Sequence, residues 1–157
     1  MNLGRIGGAL ALVLAATLAG CSSGSSDGNG AAAAENPREA KFKAIAKANK
    51  AITEELKKDA PSVDTIRTNA TTLAGLSSQV PSWFPTGTGP ESGIDTEAKP
   101  AIWEQPAEFS TAAGNFDTAV KALNAAATGG DIAAIRTAAA AVGPTCKGCH
   151  DKFREKK

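Results

Sequence analysis

Between Asn36 and Val142, apolar residues recur every three or four positions in four separate stretches, and no segment alternates with a period of two. That spacing predicts amphipathic helices and no strands. Asn36-Pro37-Arg38-Glu39 opens the first, with an Asn cap, Pro in the first position and Glu in the third. Phe42, Ile45, Ile52 and Leu56 then form one stripe, with Lys41, Lys43, Lys47, Glu54, Glu55 and Lys57 on the other faces. Ala60-Pro61 stops it. Ser62 and Asp64 start the second, striped by Ile66, Ala70, Leu73, Leu76 and Val80 and ended by Pro81. Residues 81–100 hold four Pro and three Gly, which predicts a long irregular connection. Phe109, Ala113, Phe116, Val120 and Leu123 mark the third helix, which Gly129-Gly130 closes. Asp131 caps the fourth, with Ile132, Ile135, Ala139 and Val142 as its stripe. Two short connections and one long one between four such helices predict an all-α, antiparallel four-helix bundle. The Ala-rich third and fourth helices leave little bulk inside, so this bundle is underpacked unless a cofactor fills it.

The chain is 157 residues long, enough for one domain and an appendage. The appendage is N-terminal. Met1 to Arg5 carries one positive charge, and Ile6 to Leu18 is uncharged and apolar or small. That run is shorter than the roughly 20 residues of a membrane span but suits a secretory signal. Leu18-Ala19-Gly20-Cys21 follows, and it resembles the lipobox of bacterial lipoproteins, whose Cys is acylated before cleavage. The resemblance implies a signal peptide over 1–20, a mature chain beginning at a lipidated Cys21, and a lipid-anchored location on the periplasmic side. Ser22 after the Cys resembles lipoproteins sent to the outer membrane. Residues 21–35, rich in Ser, Gly, Asn and Ala, read as a flexible tether, and 36–157 as the globular unit. Removing 1–20 leaves 16 basic and 16 acidic side chains, so no nucleic-acid partner is expected and anchoring rests on acyl chains.

The chemistry is concentrated in Cys146-Lys147-Gly148-Cys149-His150. Cys146 and Cys149 are three apart and His150 is four from Cys146, so all three share one side of a helix. Two thiols at that spacing can each add to a porphyrin vinyl group while the adjacent imidazole ligates the iron, the pattern of c-type haem attachment. A structural zinc site needs four ligands, and the only other Cys is Cys21. A thioredoxin-like pair opens a helix after a strand, whereas this pair closes the last helix. A plain disulfide suits an exported chain but leaves the His and the small-residue core unexplained. One haem c, bound through Cys146 and Cys149 with His150 on the metal, is therefore the expected cofactor.

With that motif in place, the stretch from Asn36 to Lys157 resembles the cytochrome c′ and cytochrome c-556 family, the class II c-type cytochromes. The matching features are Arg38-Glu39-Ala40-Lys41-Phe42-Lys43, Phe84-Pro85-x-Gly87-Thr88, Ala101-Ile102-Trp103-Glu104, Gly130-Asp131 and Cys146 to Arg154. The resemblance implies a four-helix bundle with haem near the C-terminal end of helix four. Pro144 departs from a regular helix, and a kink or break before the motif is expected from its missing N–H and its crowding of Ala140.

In this family a residue four after the Arg faces the iron: a Met there gives a six-coordinate electron carrier, an apolar residue the five-coordinate c′ type. Arg38 plus four is Phe42. The only Met is Met1 and the only His is His150, so the usual strong sixth ligands are absent from the mature chain; a Lys remains an alternative. The resemblance also puts Arg38, Glu39 and Glu97 near the haem propionates, and Arg154 beside the proximal His. A guanidinium suits a carboxylate partner. Glu39 and Glu97 read equally well as solvated charges, and Arg154 as a dipole partner at a helix C-terminus. Trp103 and Phe109 read as packing residues.

The resemblance implies binding of nitric oxide, and more slowly carbon monoxide, for buffering, sensing or detoxification, with a second copy of the chain and a redox protein as the expected partners. An apolar distal pocket offers bound dioxygen no hydrogen bond. No acid–base pair or nucleophile points to an enzyme. The rival readings are a one-electron carrier with six-coordinate haem and a Cys pair acting only as a redox switch.

Overall fold

The computed structural model describes residues 36–156; the signal sequence, Cys21, the tether and Lys157 lie outside the described residues. Four long helices, α1 (Pro37–Leu56), α2 (Val63–Ser77), α4 (Pro106–Gly129) and α5 (Ile132–Phe153), are joined by one helical turn, α3 (Ala101–Glu104), and two 3₁₀ turns at Val80–Trp83 and Pro90–Ser92. Among the described residues there is no strand, and a single isolated bridge pairs Ala98 with Arg154. None of these helices is long and apolar enough to cross a membrane.

The caps read from the sequence are made. Asn36 accepts from Arg38 N at 3.1 Å, Ser62 from Thr65 N at 3.2 Å, and Asp131 from Ala133 N and Ala134 N at 2.7 and 3.0 Å. Gly130 ends α4 at φ 81°, where a side chain would be strained. The buried Glu55 of α1 reaches over to accept from Ser62 N at 2.7 Å and pairs with Lys58. These bonds hold its carboxyl below the ordinary carboxylate range, outweighing the opposing effect of burial.

α1 already ends at Leu56, short of Ala60-Pro61, and three further features differ from expectation. First, α2 stops at Ser77 rather than Pro81, because Val80 precedes a proline and is steered out of α geometry; it stays buried through the 3₁₀ turn. Second, α3 is an extra turn, cut off where Gln105 (φ −126°, ψ 57°) precedes Pro106. Third, α5 passes through Pro144 without a break. Ala140 and Pro144 are both exposed, so water can take the carbonyl that loses its donor.

α1 packs on α2, α2 on α4 and α4 on α5. Asn36 at the start of α1 bonds Asp95 O at 3.3 Å, and the end of α5 bonds the same connection through Lys99 N to Phe153 O at 3.0 Å and Glu155 N to Glu97 O at 2.7 Å. Val63 lies against Gly130 at the opposite end. The four helices therefore run up, down, up, down, with the long connection strapped across one end.

Candidate cofactor pocket

At the strapped end the helices enclose a cavity of about 600 Å³ between α1 and α5, a size suited to a cofactor-sized ligand. All five phenylalanines of the chain, Phe42, Phe84, Phe109, Phe116 and Phe153, line it. Four form a continuous edge-on or tilted chain: Phe42 to Phe84 at 6.1 Å between centroids, Phe84 to Phe109 at 5.0 Å, and Phe109 to Phe153 at 5.3 Å. Trp83, just outside the lining, backs Phe42 at 5.2 Å with its ring at 88°. Bulk missing from the Ala-rich helices is thus replaced by rings that hold the walls apart.

Every site residue expected within the described chain meets this one cavity: Arg38, Glu39, Phe42, Glu97, Cys146, Cys149, His150 and Arg154. Cys146 and Cys149 are half-buried free thiols on the inner face of α5. Burial pushes both thiols above their ordinary value, and for Cys149 the neighbouring Cys146 adds to the rise. Burial first, and then the Arg154 cation, pull His150 below its ordinary value, with Asp151 and Glu97 opposing in part. Both effects favour the neutral imidazole, the form in which histidine ligates metals. Among the described residues no three His, Cys, Asp or Glu side chains converge on a metal-sized point.

The charged residues divide by partner. Glu39 lies exposed at the rim and pairs with Lys43 at 2.6 Å. Arg154 donates from Nε to Glu97 at 2.6 Å, which ties the connection to α5 beside His150. Arg38 is different: it is 4% exposed, and among the described residues its guanidinium bonds neutral acceptors alone, on Thr88, Thr96 and Asn36. Burial holds its pKa below the ordinary arginine value.

These features fit a haem c. The pocket offers two thiols one helical turn apart, a neutral imidazole next to them, apolar walls for a porphyrin face, and a buried cation for its acidic side chains. Sequence reasoning missed Phe153 and Thr88. Phe153 follows Cys149 by four positions, so its place on the same helical face was legible. Thr88 stands in the Phe84-Pro85-x-Gly87-Thr88 run, but that run does not reveal its partner, Arg38, 50 residues away.

Comparison with known proteins agrees. The sequence pattern of one family, described as Cytochrome C′, matches residues 33–154. This chain belongs to the cytochrome c′ family. It is similar to the cytochrome c′ of Rubrivivax gelatinosus, with 51% identity over 70 residues, or 45% of this chain. That match spans about half, 54%, of the relative's length. The crystal structure of a cytochrome c′ from the same organism superposes with a TM-score of 0.69 and 38% identity, covering 75% of this chain and 91% of that one. Variants of Alcaligenes xylosoxidans cytochrome c′, one in complex with nitric oxide and one with carbon monoxide, superpose with TM-scores of 0.69 and 0.68. Each is 32% identical and covers 76% of this chain and 91% of its own. Family members carry covalently attached haem c, so the protein is a haem-binding c-type cytochrome with a helical-bundle fold. The family is one of electron-transfer and gas-binding proteins rather than of enzymes.

Proposed function

We propose that the protein is a membrane-tethered, periplasm-side cytochrome c′ whose five-coordinate haem binds nitric oxide and carbon monoxide. The observation that carries this reading is Phe42. On the α1 wall of the cavity, facing the helix that bears His150, stands a phenyl ring and no Met or second His. Haem c supplies, when bound, an iron able to take a diatomic ligand or an electron. The chain's own residues would do the rest: Cys146 and Cys149 would fix the macrocycle to α5, His150 would offer its imidazole from the same helix, and Arg38 would pair with the acidic side chains. Phe42, braced by Trp83 and Phe84, denies the other side to any protein ligand and leaves room only for a small molecule that can displace its ring. The relatives that bind nitric oxide and carbon monoxide support this use.

Absorption spectra of the purified oxidised and reduced protein, with and without nitric oxide, test the assignment. A high-spin spectrum that changes on gas addition is expected, whereas a low-spin, six-coordinate reduced spectrum overturns it in favour of an electron carrier. Moving the Phe42 ring costs on the order of 1–3 kcal/mol, as for other disturbed core contacts. That slows association by roughly tenfold to a hundredfold, so Phe42→Ala speeds carbon monoxide binding by this factor in stopped flow. Equal rates remove Phe42 from the ligand's path. The tether is tested separately: wild type needs detergent for release from membranes, and Cys21→Ser does not.

A further inference from the structure

We infer that Thr88 is a positioning residue that fixes the Arg38 guanidinium at the cavity wall with no protein carboxylate among its described hydrogen-bond partners, and through it sets the reduction potential of the site. The inference rests on the proposed placement of Arg38 beside the haem's acidic edge. A buried arginine ordinarily faces a carboxylate, because an unpaired buried charge is costly. Here none of the guanidinium's hydrogen bonds reaches one. Among the described residues three carboxylates line the cavity: Glu39 is engaged with Lys43, Glu97 with Arg154, and Asp95 is not among the acceptors of the guanidinium's hydrogen bonds.

Thr88 makes the shortest of these bonds, and it does so twice. Its hydroxyl oxygen accepts from Arg38 Nη1 at 2.9 Å and its carbonyl from Nη2 at 2.8 Å. The same hydroxyl donates to Pro85 O at 2.8 Å, which commits its proton and turns its lone pairs toward the guanidinium. Pro85 O also accepts from Trp103 Nε1 at 3.0 Å, and the guanidinium lies 5.7 Å from the Trp103 ring and 4.8 Å from that of Phe84. Gly87, at φ 78°, supplies the left-handed turn that brings Thr88 back to the pocket. The Phe84-Pro85-x-Gly87-Thr88 run is thus a clamp, closed on an arginine 50 residues earlier in the chain.

The clamp's chemistry follows from its neutrality. A carboxylate would hold Arg38 equally well but cancel its charge; a hydroxyl and a carbonyl hold it and leave the charge in place. A fixed cation in a low-dielectric wall favours the more electron-rich, reduced state of a redox centre beside it. Loss of the clamp frees the side chain to swing toward water, and the potential falls.

The test is redox titration of the full, haem-loaded protein at one pH and ionic strength. Arg38→Gln lowers the midpoint by about a tenfold change in the reduction equilibrium, about 59 mV for a one-electron couple. Thr88→Val, which keeps the shape and the carbonyl but loses the hydroxyl, lowers it by a smaller step. Thr88→Ser restores the wild-type value. In the Arg38→Gln background Thr88→Val adds nothing. If Arg38→Gln lowers the potential while Thr88→Val does not, the inference about Thr88 is overturned and the placement of Arg38 stands. An equal Thr88→Val effect with and without Arg38 also overturns it. A potential unmoved by Arg38→Gln removes Arg38 from the haem's edge and the inference with it. Side-chain NMR of the wild-type protein gives a readout independent of the potential and of any variant's folding. The Arg38 Nη1 and Nη2 protons, which Thr88 holds, give separate, slowly exchanging resonances if clamped, and averaged, fast-exchanging ones like those of an exposed arginine overturn the clamp.

Discussion

The two ends of the bundle are built from the same helices and solve opposite problems. At the end where α1 meets α2 and α4 meets α5, Ile66, Ala70, Leu123, Ala127 and Ile135 are wholly shielded from solvent and pack on one another. None of them lines the cavity. At the other end every Phe in the chain surrounds an opening of about 600 Å³. Small aliphatic side chains let helices approach and close, while rings at the same helical spacing brace them apart. One half of the bundle is therefore a self-sufficient core, and the other is a core that waits for its cofactor.

That contrast can be broken in three ways. The largest effect is expected at the closed end. Leu123→Ala removes a fully buried side chain away from the cavity and costs about 2–5 kcal/mol. Urea unfolding measures it, and the haem spectrum stays as in wild type. A change in that spectrum would mean that the two ends are not separable.

Removing the attachment points acts on the other end alone. The double variant Cys146→Ala, Cys149→Ala carries no haem through denaturing electrophoresis. In hydrogen exchange its amides from Phe42 to Asn49 open faster, while those of Ile66 to Leu73 and Val120 to Ala127 keep their protection. Uniform loss of protection would show that the closed end also depends on the cofactor.

The smallest effect concerns the α2–α4 seam between the ends. The buried Ser77 hydroxyl donates to Asp117 at 2.7 Å, and Lys121 pairs with the same carboxylate at 2.6 Å. Burial pushes the Asp117 pKa up, but the bonds from Lys121 and Ser77 outweigh it and hold the group below its ordinary value. A depressed folded pKa gives stability that is present above the unfolded value, about 3.9, and is lost as pH falls through the folded one. Wild type therefore loses part of its stability below about pH 4, and Asp117→Asn flattens that slope. Parallel acid titrations of the two proteins would contradict the assignment.

Much of this protein is written in contacts a few residues long. The stripes, the caps at Asn36, Ser62 and Asp131, the stop at Gly130 and the Cys146–His150 spacing all act within a turn or two of helix, so the sequence displays them directly. Local rules failed where their penalty could be discharged elsewhere. Pro144 ends helices in isolation, yet the carbonyl it orphans lies on an exposed face where water serves it. Val80 keeps its burial although its helix has already ended at Ser77.

Periodicity, capping and ligand spacing are properties of neighbouring residues, so the helical bundle, its Ala-rich interior and the haem-attachment motif are all legible along the chain. Folding alone brings Thr88 and Thr96 to Arg38 and Glu97 to Arg154, across 50, 58 and 57 residues. It alone set the five phenylalanines, drawn from three helices and a loop, around a single cavity. Those partners meet only after the long connection has been strapped across the end of the bundle, and no local pattern specifies where that strap will lie.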